Sequence, residues 1–176
     1  EEQDLDNQIE NLVLDDAEVR KKALRQIRRI LTKRSYRGEE IPDISEPLTR
    51  ALKDPDNEVR RYAASTMQYL EIELVEEALK EALHDDEYTV RVSAAESLGP
   101  LAIDALIETV EDEDEDMRSS SVYSLSAIGR MHCDIRVVEP LSSALSDETT
   151  ASSAASGLKD FLMYCEEGTA EPDILE

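Results

Sequence analysis

Nine of the nineteen basic residues in this 176-residue chain stand between positions 20 and 37, in the run RKKALRQIRRILTKRSYR, and no acid interrupts them. The whole chain has a formal charge of -23, so this run carries +9 and the remainder carries -32. A cationic strip in an acidic field is chemistry for holding carboxylates or phosphates, whether a partner's or the chain's own at Glu39, Glu40 and Asp43. Groups that make and break bonds are sparse by contrast. There are two histidines, His84 before Asp85 and His132 before Cys133. Together with Asp134 and Cys165 the second of these lacks the close Cys and His spacing of a zinc site, so no metal and no cofactor is expected. The serines of RSSSVYSLS (118 to 126) have no neighbouring histidine and no Gly-rich elbow, and read as packing and surface groups. No catalytic residue is expected.

The elements that position the strip are visible as a repeat. First parts read EPLTRALKD (46 to 54), EALKEALHD (77 to 85), DALIETVED (104 to 112) and EPLSSALSD (139 to 147), with a weaker DNQIENLVL (6 to 14) in front. Second parts align Val19, Val59, Val90, Met117 and Thr150. Four residues on come Ala23, Ala63, Ala94, Ser121 and Ala154, then Ile27, Met67, Leu98, Leu125 and Leu158, then Ile30, Leu70, Leu101, Ile128 and Phe161. Spacings of 4, 4 and 3 draw one helical stripe. Leu48 with Leu52, Leu79 with Leu83, Leu106 with Val110 and Leu141 with Leu145 do the same for the first parts. Each copy is therefore a helical hairpin, with DPDNE, DDEYT or DEDED between its helices to cap the second one.

On the second helix of copy one, the inward stripe of Val19, Ala23, Ile27 and Ile30 turns Lys21, Arg25 and Arg28 outward, with Lys22 and Arg29 beside them. Arg61 and Tyr62 hold the matching sites of copy two. These seven residues are the candidate partner-binding surface, facing a protein with an acidic surface. Nucleic acid is the less favoured partner, because the strip is short, Trp is absent and the rest of the chain repels polyanions.

Composition agrees with helices. Aromatics are 4%, Gly is 5 and apolar residues are 40%, too many for a disordered acidic chain and poor in strand formers. The chain has 6 Lys against 13 Arg, and an acid-rich, Lys-poor surface is what concentrated salt calls for, as in a halophile. No stretch reaches the length of a membrane span, and the start EEQDLDNQ lacks the regions of a signal peptide, so a cytoplasmic location is expected. Two cysteines make no disulfide framework and favour a reducing compartment. A Cys133–Cys165 bond is not expected, since stacked helix axes lie about 8 to 10 Å apart and bridged Cα atoms need less than about 7 Å.

These residues resemble HEAT repeats, in particular the short PBS-lyase HEAT-like variety. The marks are Pro47 and Pro140 in first helices, then the Asp and the Val-Arg pair at Asp54, Val59 and Arg60, at Asp85, Val90 and Arg91, and at Asp112, Met117 and Arg118. Copy one departs with Leu14 at the Asp site and copy five with Ala151 at the Arg site. The resemblance implies an all-α, right-handed α-solenoid, or superhelix, of about five hairpins in one domain, residues 1 to 165. The copies are about 1 to 40, 41 to 72, 73 to 101, 102 to 134 and 135 to 165, followed by an acidic tail at 166 to 176. It implies a non-catalytic protein-interaction scaffold or adaptor. Lyase-like or enzyme-accessory chaperones that grip a substrate protein resemble it too, as do nucleic-acid-binding glycosylases and di-iron hydroxylases. The hydroxylases need repeated His-Glu pairs, which this chain lacks. The resemblance also implies a ladder of Asp–Arg pairs along the stack. A ladder in which each Arg meets the Asp of the following copy uses every charge: Arg20 with Asp54, Arg60 with Asp85, Arg91 with Asp112 and Arg118 with Asp147. The opposite direction leaves Arg20, Arg60, Asp112 and Asp147 over, and pairing within a copy leaves Arg20 and Asp147 over, although an Arg has donors enough to serve its own Asp as well.

Overall fold

In the computed structural model, residues 2 to 165 are described, without the side chain of Glu2. The acidic tail expected at 166 to 176 lies outside them. Three of the second helices begin as their sequence dictates. Asp16, Asp56 and Asp114 sit in extended backbone and accept the first free N–H groups of their helices, from Glu18, from Val59, and from Asp116 and Met117. Gly38 adopts φ 66°, where its N–H reaches back to Arg34 and Ser35 and ends the longest helix.

The chain divides into two compact units, Glu1–Leu98 and Gly99–Glu176. The first holds α1 (Glu2–Asn11), α2 (Ala17–Arg37), α3 (Ser45–Ala51), α4 (Asn57–Met67), α5 (Ile72–Ala82) and α6 (Tyr88–Leu98). Each odd helix packs on the even helix that follows, and α2, α4 and α6 pack side by side. Val59, Val90, Ala63, Ala94, Leu48 and Leu79 have no exposed surface, and Ala23 nearly none, because the small residue at each crossing lets the even helices close together.

The second unit holds α7 (Ile103–Thr109), α8 (Glu115–His132), α9 (Val138–Ser143) and α10 (Ala151–Tyr164), with 3-10 turns at Gly99–Ala102, Ile135–Val137 and Ala144–Ser146. α10 lies against α8, where Gly157 is obligatory: a Cβ there would collide with Ser126. No strand occurs among the described residues.

Two stripe positions depart from expectation. Leu101 and Leu145, expected inward, are 47% and 45% exposed. Both fall in the 3-10 turns, where the helical register that would have buried them has already ended.

The larger correction is covalent. Cys133 and Cys165 form a disulfide, with Cα atoms 5.4 Å apart. The spacing of helix axes does not apply to them, because both residues lie just past their helices: Cys133 caps α8 in the left-handed region (φ 51°) and Cys165 follows α10. Leaving the helix lets each chain bend toward the other. The bond also removes both thiolates as metal ligands.

Candidate binding surface

The surface of interest is carried on α2 and α4, and what fixes these helices is a set of arginines at their starts. Arg20 donates from Nε and Nη2 to both oxygens of Asp54, at 2.7 and 2.8 Å. Arg60 does the same to Asp85, at 2.8 and 2.9 Å. In the second unit Arg118 Nε donates to Asp147 at 2.6 Å. Each of these pairs joins an Arg to the Asp of the following copy. The expected Arg91–Asp112 pair would join residues of different units, and within its own unit Arg91 is buried and donates from Nη1 to the carbonyls of Asp85 and Asp86.

That last contact recurs. Nη1 of Arg20 donates to the carbonyls of Leu14 and Asp15, that of Arg60 to Asp54 and Pro55, and that of Arg118 to Asp112 and Glu113. The guanidinium thus grips its own loop through main-chain oxygens and the next copy through a carboxylate, a division of five donors that Lys cannot reproduce. Asp54, Asp85 and Asp147 are used twice as well, since each also accepts the N–H two residues on, and Asp112 accepts the same bond from Asp114; this shapes the turn before the second helix. Burial pushes Asp85 up, but the Arg60 hydrogen bond and the Glu87 N–H outweigh it and hold it low. At Asp147 the hydrogen bonds from Thr149, then that from Arg118, bring the pKa down to about 2.

The candidate residues separate into two groups on this frame. Lys21 is not outward: it is buried and pairs with Glu18 at 2.5 Å, with Asp56 at 3.5 Å and with Glu58 at 3.6 Å. The start of α4, with its capping Asp56, covers the side of α2 on which Lys21 stands. Farther along α2, Lys22, Arg25, Arg29 and Lys33 are exposed and Arg28 is half-buried. Lys22, Arg28, Arg29 and Lys33 have no hydrogen-bond or ion-pair partner among the described residues. Arg25 lies over the ring of Tyr62, 5.5 Å from its centroid, and Arg61 covers the same ring at 4.2 Å. Arg25 beside the phenol, then Arg61, holds Tyr62 below its ordinary pKa. Arg61 also reaches Glu58 at 3.3 Å.

Internal neutralisation therefore takes only the ends of the run. Arg34 donates to the carbonyl of Glu40 and Arg37 pairs with Glu39 at 3.5 Å, while Asp43 accepts from the Ser45 N–H instead. The middle stays free. Two members escaped the candidate set: Lys33, four residues beyond Arg29, and Tyr69, whose hydroxyl lies 2.9 Å from Thr32 Oγ1 and ties the turn after α4 to α2. Lys33 was signalled by that spacing; the Thr32–Tyr69 bond had no sequence signal.

The profile of HEAT repeats matches residues 9–99 and 76–159. The chain belongs to the HEAT-repeat family. No curated protein matches its sequence. Among solved structures, an engineered protein from the Northeast Structural Genomics Consortium is 20% identical, with a TM-score of 0.54 over 90% of this HEAT-repeat chain and 79% of its own. A second engineered protein from the same source is 17% identical, with a TM-score of 0.52 over 91% and 99%. A designed armadillo repeat protein in complex with the peptide (KR)4 is 18% identical, with a TM-score of 0.51 over 89% and 81%. At these identities the likeness concerns the fold, an all-α solenoid of about five helical hairpins. No described helix is long and apolar enough to cross a membrane.

Proposed function

We propose that this HEAT-repeat protein is a non-catalytic interaction scaffold that holds an acidic protein surface on the outer face of α2. One observation carries the reading: Lys22, Arg29 and Lys33 stand exposed without an internal partner in a chain of net charge -23. Carboxylates are abundant in this protein, yet the ladder and the caps leave these cations unmatched, and mutual repulsion among them is relieved by a partner's acids. The designed armadillo protein solved with a peptide supports the use of such helical arrays for holding a polypeptide, although its peptide is cationic and belongs to that protein alone. The test is a fluorescence-anisotropy titration with a labelled 16-residue poly-glutamate at low and physiological salt. Binding that disappears in Lys22→Glu/Arg25→Glu/Arg29→Glu, with helicity retained, supports the reading; equal binding by that variant rejects it.

The short PBS-lyase variety is inferred from Pro47, Pro140 and the Asp with Val-Arg pattern, and a halophilic origin from the 6 Lys among 19 basic residues. A melting midpoint that stays flat from low to molar salt would remove the halophilic inference. The disulfide weighs against the reducing compartment, because such bonds persist where thiols are kept oxidised or in hyperthermophiles. Alkylation of freshly lysed cells reports directly whether Cys133 and Cys165 are bonded.

A further inference from the structure

We infer that the acidic element received by α2 is itself a helix, lying along α2 with carboxylates at spacings of three and four residues; this rests on the scaffold reading above. Lys22, Arg25, Arg29 and Lys33 are separated by 3, 4 and 4 residues, which places them on one narrow stripe running about 16 Å along the helix. A second helix has the same rise per residue. Acids at i, i+3, i+7 and i+11 of such a partner therefore meet the four cations one for one, and the register holds along the whole stripe.

An extended strand does not match. Its same-face side chains recur every 6.6 to 6.8 Å or so, against steps of about 4.5, 6 and 6 Å on α2, so after two residues its acids fall between cations. Neighbouring features sharpen the fit. Arg25 is held over Tyr62, so its guanidinium is presented in a fixed place instead of searching for its acceptor. The same stacking, with Arg61 at 4.2 Å from the ring, occupies the surface of Tyr62 on which a nucleobase would lie, and Tyr69 is engaged by Thr32; the exposed Tyr36 at the end of α2 is the ring left open to a base, which the oligothymidylate probe tests. With -32 on the rest of the chain, a short acidic helix approaches this stripe at less cost than a long polyanion.

The experiment compares three labelled probes against the full chain. One is a helical 16-residue peptide with Glu at positions 1, 4, 8 and 12 in an Ala/Gln background; one is the same composition with the acids scrambled around the helix; one is an oligothymidylate of equal charge. The in-phase peptide is expected to bind about tenfold tighter than the scrambled one, with the advantage lost in Lys22→Glu/Arg25→Glu/Arg29→Glu and in the milder Arg29→Gln/Lys33→Gln. Equal binding of both peptides, with both lost on charge reversal, overturns the helical register and leaves the acidic-surface reading standing. Binding of neither peptide, or binding indifferent to reversal, overturns both. Oligothymidylate binding as tight as the in-phase peptide overturns the inference in favour of a general polyanion site.

Discussion

The outward positions of α2 hold Arg25, Arg29 and Lys33, whereas the same register of α8, in the second unit, holds Tyr123, Ala127 and Met131. Beneath both faces the framework is alike: an Arg at the helix start grips two carbonyls of its own loop and the Asp of the next copy. The difference teaches where this protein keeps its variable chemistry. Loop and ladder positions repeat because geometry demands them, while the outer stripe is free to change, and in the first unit it has become cationic.

The framework should yield the largest effects. Arg60→Ala leaves Asp85 partly buried without its guanidinium and should cost about 3 to 5 kcal/mol in chemical denaturation. Arg118→Ala should cost less, because its pair with Asp147 is more exposed. In a double-mutant cycle Arg60→Ala should couple to Asp85→Ala more strongly than to Asp54→Ala, since Arg60 uses only the main-chain carbonyl of Asp54. The reverse ranking would break the account of the ladder.

Covalent closure distinguishes the units next. The Cys133–Cys165 bond closes a loop with a sequence separation of 32, for which the chain-entropy account gives about 3 to 4 kcal/mol. A reductant, or Cys165→Ser, should therefore lower the melting midpoint and increase hydrogen exchange in α8 and α10 before α2 and α4. Uniform exchange would show that the bond does not act on its own unit first.

Binding should then separate the outer faces. Lys22→Glu/Arg25→Glu/Arg29→Glu should weaken acidic-peptide binding by about a hundredfold, or ~2.7 kcal/mol, whereas Arg130→Glu/Ser156→Glu on the second unit should leave it unchanged. A loss in proportion to the added charge, -3 against -6, would mean that the response follows total charge and not the α2 stripe.

The smallest effect concerns acid. Asp147 titrates at about 2 in the folded chain against an ordinary 3.8, so its contribution is complete above about pH 4 and is lost as pH falls toward 2. Asp85 is shifted in the same direction. Asp147→Asn should remove this contribution at neutrality and flatten the stability curve between about pH 4 and 2, so that variant and parent converge as pH falls; a difference that grows toward pH 2 would contradict the sign.

Much of this was legible because helices advertise themselves by period. Val59, Ala63 and Met67 drew a stripe that is buried, and Leu14 in place of an acid fitted a ladder in which that site of copy one supplies only a carbonyl to Arg20. What was not legible depended on neighbours. A helical wheel of α2 knows nothing of Asp56 and Glu58 arriving from α4, so Lys21 looked free. Leu101 and Leu145 followed the period into segments that are no longer α-helical. The cysteines were measured by the distance between helix axes, although both stand beyond their helix ends, where the chain is free to converge.

The use of main-chain oxygens at each Arg has a bearing on how such a protein can lengthen. A loop offers its carbonyls whatever its side chains are, so a duplicated hairpin arrives with one half of its coupling already in place. It needs only an Asp to accept the Arg before it and an Arg to address the Asp after it, and any internal copy carries both. Copy two could thus be repeated in tandem, with Arg60 addressing the second Asp54 as it now addresses Asp85, while the cationic stripe of α2 remained where it was. Growth by whole hairpins and change in recognition are in this way separate routes, open to selection one at a time.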